Sequence, residues 1–526
     1  LVLDELLVAA RLGVKVRLLV DQLSALRRVD TLAALSGVHA NFAMCIYNPM
    51  LGRARISYPQ YVLAAACCWR RLNQRMHNKL LLIDDVVGVT GGRNYQNSYY
   101  DWDDEYNFRD RDLLVAGPSV RDMAASFEDY WTARLTRPIE RLTDVGRRLL
   151  REGVPGLSHG DFELPARVAR MSRDADDPGL VDERLTTQAM PVGAVEFIAD
   201  PPEKHRRSYE GTGPSTRGLR DLIASAREEV ILQTPYLVLS PAAQDLFREL
   251  QAREDSPRVI VSTNSLAATD SFVTYAVAYK YKRRYLRDFG FEIYEFKPFP
   301  QDAPIEVDAT QGVATVWQPD GTPVIADADA EDVDVARTRP GGVAPLGREY
   351  SALRWSGFGA NRPVPLARGG VRFGLHAKSL VVDERIGVVG THNFDPRGDN
   401  YNTESAVVIE DVAFARSLAD SIRRDTLPAN AWTIARRDKP PIFSGLEYSL
   451  AKLSEHLPIF DLWPVRYATS YEFQPGPGCP APLPPHALGF RDCYEPVGDF
   501  PEVNLSLKAL LTRIFTGFGG GLAPIL

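Results

Sequence analysis

Cysteine is scarce in this sequence, and the few present fall into no metal-binding or redox pattern. The five (Cys45, Cys67, Cys68, Cys479, Cys493) form no Cys-x-x-Cys pair, and none stands at zinc-like spacing from a histidine. Neither a disulfide scaffold nor a structural metal site is expected. Long apolar runs are missing too: none reaches the roughly 18 residues that a membrane-crossing helix needs, and no signal peptide is visible at the start. Positive charge is not in excess. With 61 Lys and Arg against 68 Asp and Glu the formal net charge is -7, which argues against a broad basic surface for nucleic acid. A small basic cleft inside an acidic whole stays compatible with that balance, so a phosphate-bearing substrate is not excluded. The chain opens on Leu1 inside an amphipathic stretch rather than on Met, and an upstream segment is expected.

What the sequence does have is a duplication. Its 526 residues, 45% hydrophobic and 25% charged, give room for roughly two to four ordinary domains. Three blocks occur twice in the same order. An amphipathic helix near 3–12 leads into "VKVRLLVD" from Val14, as a helix near 242–252 leads into "RVIVSTNS" from Arg258. A strand closed by proline follows, Phe42 to Pro49 in one copy and Phe291 to Pro298 in the other. The third block is "MHNKLLLIDDVVGVTGGRN" from Met76 against "LHAKSLVVDERIGVVGTHN" from Leu375. Short apolar runs such as Leu80 to Ile83 and Leu380 to Val382, bounded by charge and glycine, read as buried strands. Strands alternating with helices predict an α/β fold with helices on both faces of the sheet. The second copy starts earlier, with "VILQTPY" from Val230, which has no counterpart in the first.

These blocks divide the chain into a first repeat (1–150), a linker rich in Gly, Pro, Asp and Arg (151–191), a second repeat (192–425) and a C-terminal segment (426–526). The second repeat holds an insertion, 301–370, expected to be an excursion or lid. The ending "LKALLTRIFTGFGGGLAPIL" is apolar but glycine-broken; lying in a membrane interface and docking on the core are two equal readings of it.

The repeated motif carries chemistry. His77, Lys79 and Asp84 match His376, Lys378 and Asp383, and an asparagine follows each histidine by seventeen positions, Asn94 and Asn393. On a strand, residues i and i+2 share a face, so each copy offers an imidazole beside an ammonium. Two copies about a pseudo-two-fold axis would gather both pairs around one cleft. A lone His-x-Lys arises often by chance, whereas two with the same spacing and the same Gly and Asn tail do not. A phosphodiester resists nucleophiles because it is an anion. Lys79 and Lys378, with Asn94 and Asn393, can neutralise its oxygens, one imidazole can attack phosphorus, and the other can serve as general acid and then base. The lysines carry the positive charge, so no metal or cofactor is called for. Asp84 and Asp383, counted with the catalytic residues as the third members of the motif, have the weaker claim to that role and are expected to fix the turn after their strand rather than touch substrate. Each histidine also needs a partner to set its tautomer. Glu404, at the head of the next strand, is the candidate in the second copy. In the first, strand register selects Asp110 and residue counting selects Glu105; register is preferred because "YYDWDDEYNFR" reads as an inserted loop. His392 stands where the first copy has Arg93 and reads as a neighbour.

The double motif resembles the signature of the phospholipase D superfamily. "RLNQRMHNK" at 71–79, "GGRN" at 91, "TNSLAATD" at 263–270, "YEFKP" at 294 and "NFDPR" at 393 resemble its bacterial cardiolipin synthase branch of the C type. The resemblance implies two phospholipase D-like repeats, each a mixed sheet flanked by helices, with the active site between them. It implies a phosphatidyltransferase peripheral to the bacterial inner membrane, drawing on phosphatidylglycerol and phosphatidylethanolamine, with His77 as nucleophile and His376 as acid and base. Alternatives are a hydrolase releasing phosphatidic acid, a nuclease of the same superfamily, or an inactive lipid-binding scaffold. The acidic balance counts against the nuclease, and complete motifs in both halves count against the scaffold.

Overall fold

The computed structural model describes residues 2–22, 28–103, 105–157, 162, 164–204, 212–301, 314–317, 323–326, 363–437 and 467–505. In the first copy α1 (Val2–Arg11) leads to β1 (Val16–Asp21), α2 (Val29–Ser36) to β2 (Phe42–Tyr47), and α3 (Tyr58–Asn73) to β3 (Arg75–Met76). A hairpin of β4 (Leu80–Ile83) and β5 (Val87–Gly91) follows, then β6 (Tyr106–Arg109), β7 (Asp112–Ala116), α4 (Val120–Thr132) and β8 (Thr136–Pro138). The second copy begins with β9 (Ala194–Ala199), β10 (Glu229–Gln233), β11 (Arg258–Asn264) and β12 (Phe291–Phe296), followed by a hairpin of β13 (Ala314–Trp317) and β14 (Pro323–Ala326). It continues through β15 (Arg372–Leu375), β16 (Ser379–Val382), β17 (Ile386–Gly390), β18 (Asn402–Thr403), β19 (Ser405–Glu410) and β20 (Ala431–Arg436). Strands β21 (Ala468–Phe473) and β22 (Tyr494–Gly498) close the described chain.

The second copy builds a ten-stranded sheet in the order β22-β21-β20-β12-β11-β10-β16-β17-β19-β9. β10, β11 and β12 run parallel, and β16 joins β10 antiparallel. Successive residues of its central strands face opposite layers. Val230, Leu232, Val259, Val261, Leu380 and Val382 pack with Phe247 and Leu250 of helix Pro241–Gln251 and Tyr285 of helix Phe272–Arg287. Ile231, Ile260, Val381 and Val389 pack on Ala415, Leu418, Ala419 and Ile422 of helix Val412–Thr426. Cover on both faces is why these strands read as continuous apolar runs.

The first copy has no strand matching β10 among the described residues, and its sheet is split at that place. β1-β2-β8 form one three-stranded sheet and β4-β5-β7 another. The consequence shows in burial: Ser379–Val382 is buried throughout, whereas Leu81 and Ile83 on the equivalent β4 are 38% and 53% exposed.

Several sequence expectations change here. The 151–191 stretch is helical over Pro165–Ala175 and Pro178–Val181. Its prolines open the first helical turn, where a missing N–H breaks no bond. The repeat runs past Asp425, because β20 pairs antiparallel with β12 as β8 does with β2. Cys479 and Cys493 are disulfide-bonded, as are Cys67 and Cys68, contrary to the reading from spacing; Cys45 is buried and free. Within the 301–370 insertion, 302–313, 318–322 and 327–362 lie outside the described residues, as does the apolar ending from 506 onward.

Candidate active site

Two short parallel ladders join the halves, and they determine how the site is assembled. β18 pairs with β3 in the register Thr403↔Met76, and β15 pairs with β6 in the register Leu375↔Arg109. The next residue on each strand is therefore a motif histidine on one side and a carboxylate of the other half on its partner. His77 Nδ1 lies 2.7 Å from Glu404 Oε2, and His376 Nδ1 lies 2.6 Å from Asp110 Oδ2. The ladders continue in the backbone, with the His77 N–H donating to the Thr403 carbonyl at 3.0 Å and the His376 N–H to that of Arg109 at 2.8 Å. The sequence reading gave each histidine a carboxylate of its own copy; the structure exchanges them. It also selects Asp110 over Glu105 for this contact.

The packing behind each carboxylate stays within its own copy. A Cβ on Gly92 would meet Asp110 Oδ1 at 2.1 Å, so only glycine leaves room there. At the matching position Thr391 donates its hydroxyl to Glu404 Oε2 at 2.5 Å. Glu404 has no exposed surface. Burial alone would raise its pKa, but the charge and hydrogen bond of His77, with His392 and Lys79 beyond, pull it down to about 2. Asp110 is likewise held below the ordinary carboxylate range, against its burial, by Lys378, His376 and the Arg111 N–H. Both carboxylates thus stay ionised and can accept the Nδ1 proton.

The lysines sit beside their histidines. Lys79 Nζ donates to the His77 carbonyl at 2.9 Å, and Lys378 Nζ to that of His376 at 2.5 Å while approaching both nitrogens of the His376 ring, at 2.7 and 3.0 Å. The two halves differ in access: the His77 side chain is 10% exposed and that of His376 is 1%. His376 is enclosed by aromatic rings, with Tyr99 edge-on at 5.0 Å and Phe108 at 5.2 Å. The Tyr99 hydroxyl lies 3.3 Å from His376 Nε2 and accepts from Asn94 Nδ2 at 2.9 Å. Asn393 accepts the Thr234 hydroxyl on its carbonyl at 2.6 Å, and its buried Oδ1 has no hydrogen-bond partner among the described residues.

Asp84 and Asp383 occupy a different place. Each is the first central residue of the turn closing its motif hairpin, with φ of +52° and +53°, followed by Asp85 and Glu384 at +54° and +46°. Two consecutive positive φ values define the type I′ turn that matches strand twist. Asp383 Oδ1 accepts the N–H groups of Glu228 and Glu229 at 2.8 and 2.9 Å, and both its oxygens approach that of Arg227. It anchors the entry to β10. His392 is a buried neighbour as expected, its Nδ1 taking the Phe394 N–H and its Nε2 facing Thr216 and Asp399.

Sequence reasoning missed several supports. Lys204, fully buried, donates to Asp200 Oδ2 at 2.8 Å and to the carbonyls of Gly398 and Asn402 at 2.6 and 2.7 Å. Asp200 Oδ2 also accepts the Glu404 N–H at 3.0 Å. This lock holds the β18 segment that delivers Glu404. Asn264 clamps Leu375, donating to its carbonyl at 2.7 Å and accepting its N–H at 2.8 Å, and it lies inside the "TNSLAATD" block noted above. The position matching Tyr99 by count from the motif asparagine is Gly398, and Lys204 lies before the blocks that both copies show, so repeat comparison could not find them.

The family description "Cardiolipin synthase, PLD-like domain" matches residues 1–131 and 352–426, which hold both motifs. The chain carries a PLD-like domain of the cardiolipin synthase kind. Cardiolipin synthase C of Escherichia coli (strain K12) is 27% identical over 418 residues, 79% of this PLD-like chain and 74% of that protein. The major cardiolipin synthase ClsA of Bacillus subtilis (strain 168) is 32% identical over 79 residues, 15% of this chain and 16% of that one. Among solved structures, the phosphatidylserine synthase of Haemophilus influenzae Rd KW20 is similar with a TM-score of 0.44 and 13% identity, covering 81% of this chain and 77% of that one. Among the described residues no helix is long and apolar enough to cross a membrane.

Proposed function

We propose that this PLD-type enzyme is a phosphatidyltransferase of cardiolipin synthesis, working through a phosphohistidine on His77. The crossed pair of His77 with Glu404 carries the reading. A buried carboxylate held ionised accepts a hydrogen bond from the Nδ1–H and so leaves the Nε2 lone pair as nucleophile. The greater exposure of His77 supports giving it that role. In the first step Nε2 of His77 attacks phosphorus and the P–O bond to the leaving alcohol breaks. His376, its Nδ1 set by Asp110, gives that alkoxide its proton. In the second, His376 takes the proton of the incoming alcohol, whose oxygen attacks phosphorus and releases His77. Lys79 and Lys378 bear the charge on the non-bridging oxygens in both steps. The substrates are phospholipids; phosphatidylglycerol as acceptor, and it or phosphatidylethanolamine as donor, are the specific proposal, with the protein peripheral to the inner membrane of a bacterium.

Incubating the protein with phosphatidylglycerol and phosphatidylethanolamine vesicles is expected to yield cardiolipin, with a phosphatidyl adduct trapped in the wild type and absent in His77→Ala. Release of phosphatidic acid alone would sink transfer and leave hydrolysis; an adduct that survives in His77→Ala but is lost in His376→Ala would exchange the two roles.

A further inference from the structure

A second cluster of cationic side chains lies outside the catalytic centre. Arg71, Arg134 and Arg137, with Pro49, Gly52 and Leu135, line a recess of about 300 Å³. No acidic side chain lines it, and among the described residues no carboxylate pairs with any of these arginines. In a chain of net charge -7 that is an uncompensated local concentration of positive charge, to which a counter-anion is attracted. Arg71 is oriented from behind: its Nε donates to Asn48 Oδ1 at 3.1 Å, while Asn48 Nδ2 donates to the Arg71 and Gln74 carbonyls at 2.8 and 2.9 Å.

The element that delivers Arg71 presents an apolar face to solvent. α3 carries no charged residue from Tyr58 to Trp69. Its inner side, Tyr61, Ala64, Ala65, Cys68 and Leu72, packs on Met50 and Ile56. On its solvent side Val62 and Leu63, adjacent in the helix, are 49% and 57% exposed, and Trp69, just past the break in helical backbone at Cys68, is 37% exposed. Beside it Leu51 is 42% exposed with φ of +57°, a backbone region costly for a leucine. Leu51 lies between Pro49 and Gly52, both in the recess wall, so one turn shapes the recess and displays the leucine.

We infer that the outer face of α3, the Leu51 turn and the arginine recess form a docking surface for an anionic phospholipid bilayer, the recess taking a phosphodiester headgroup that is not the one undergoing reaction. Exposed leucine and tryptophan beside arginine is the composition of interfacial helices, whose apolar side enters the acyl boundary while the cations meet anionic lipid. Charge complementarity selects this occupant over a neutral apolar partner. α3 runs directly into β3 and His77, so docking here tethers the reactive strand to the surface that supplies its substrate. The inference rests on bilayer phospholipid being the substrate, but not on which histidine reacts.

Co-sedimentation of the full chain with vesicles of phosphatidylcholine alone and of phosphatidylcholine mixed with phosphatidylglycerol tests it, with turnover of monomeric short-chain phosphatidylglycerol as the control. The wild type should bind the mixed vesicles more tightly, and salt should weaken that binding. Arg71→Gln/Arg134→Gln/Arg137→Gln should weaken it roughly 100-fold, at about tenfold or less per arginine. Leu63→Ser/Trp69→Ser should lower binding to both vesicle types. Short-chain turnover should hold in every variant. Unchanged vesicle binding in either variant, equal binding of both vesicle types by the wild type, or turnover lost together with binding would each overturn the proposal. Absence of turnover in the wild type would instead strike the catalytic reading and leave the binding comparison readable.

Discussion

Glu404 is the residue on which stability and chemistry meet. Its carboxyl titrates at about 2 in the folded chain against 4.5 for an ordinary glutamate. Between those values the unfolded state binds the proton and the folded state does not, so lowering the pH through this window favours unfolding. The contribution is full above pH 4.5 and gone below pH 2. Denaturation midpoints measured from pH 6 downward should therefore show the wild type losing on the order of 3 kcal/mol relative to Glu404→Gln as pH falls through that window; parallel curves would show that His77 does not hold this carboxylate. At neutral pH Glu404→Gln should also lower kcat about 100-fold or more, because the glutamine can present an N–H to Nδ1 and disfavour the reactive tautomer. The histidines, lysines and both carboxylates were legible at this scale, because duplication singles out matching residues. Tyr99 was not, since the position matching it by count from the motif asparagine is Gly398, which leaves no repeated residue to single it out.

The hairpin that follows each motif separates catalysis from scaffolding. Lys378 points back onto the His376 ring and carbonyl, while Asp383, at the far end of β16, takes the N–H groups that open β10. Asp383→Ala strips the acceptor from those groups and should cost about 1–3 kcal/mol in a denaturant melt, with kcat/KM of the folded protein kept within about tenfold. Lys378→Ala should leave the melt nearer to wild type and reduce kcat/KM by roughly 100-fold or more. Equal loss of kcat/KM in both variants would return Asp383 to the catalytic set. The disulfide between Cys479 and Cys493 belongs to this scale as well. It closes a short loop packed by Tyr471, Phe490 and Tyr494, and replacing both cysteines with serine should cost about 3 kcal/mol, read as a lower thermal midpoint that reducing agent reproduces in the wild type. Strands and core helices were visible from apolar runs and repeat alignment. The disulfide was not, because no local spacing announces two cysteines that tertiary folding brings together. The bridging ladders were not either: two to four residues each, they are too short to leave a periodic signal.

Those ladders make the molecule one catalytic unit rather than two joined halves. Because each carboxylate crosses over, its removal is expected to act on the histidine of the other half. Arg109 and Arg111, flanking Asp110, strengthen the seam by reaching into the second half, where Arg109 pairs with buried Asp425 at 2.8 Å and Arg111 bonds Ser379 and Ser421. The crossing assigns effects in a way that within-copy pairing would reverse. Glu404→Gln, a second-half change, should act on His77, the proposed nucleophile, and Asp110→Asn, a first-half change, on His376, the proposed acid. A phosphatidyl ester of p-nitrophenol tells them apart, since so acidic a leaving group departs without being protonated. With this substrate Asp110→Asn should release the first burst of p-nitrophenol within about tenfold of the wild-type rate and then stall, because the incoming alcohol still needs its base. Glu404→Gln should lose the burst itself, by about 100-fold. A burst that survives in Glu404→Gln and disappears in Asp110→Asn would mean that His376 is the nucleophile, or that each carboxylate serves its own half after all. Repeating the pair in His77→Ala decides between those outcomes: if His77 is the nucleophile no burst remains to modify, and if it is the acid the burst persists.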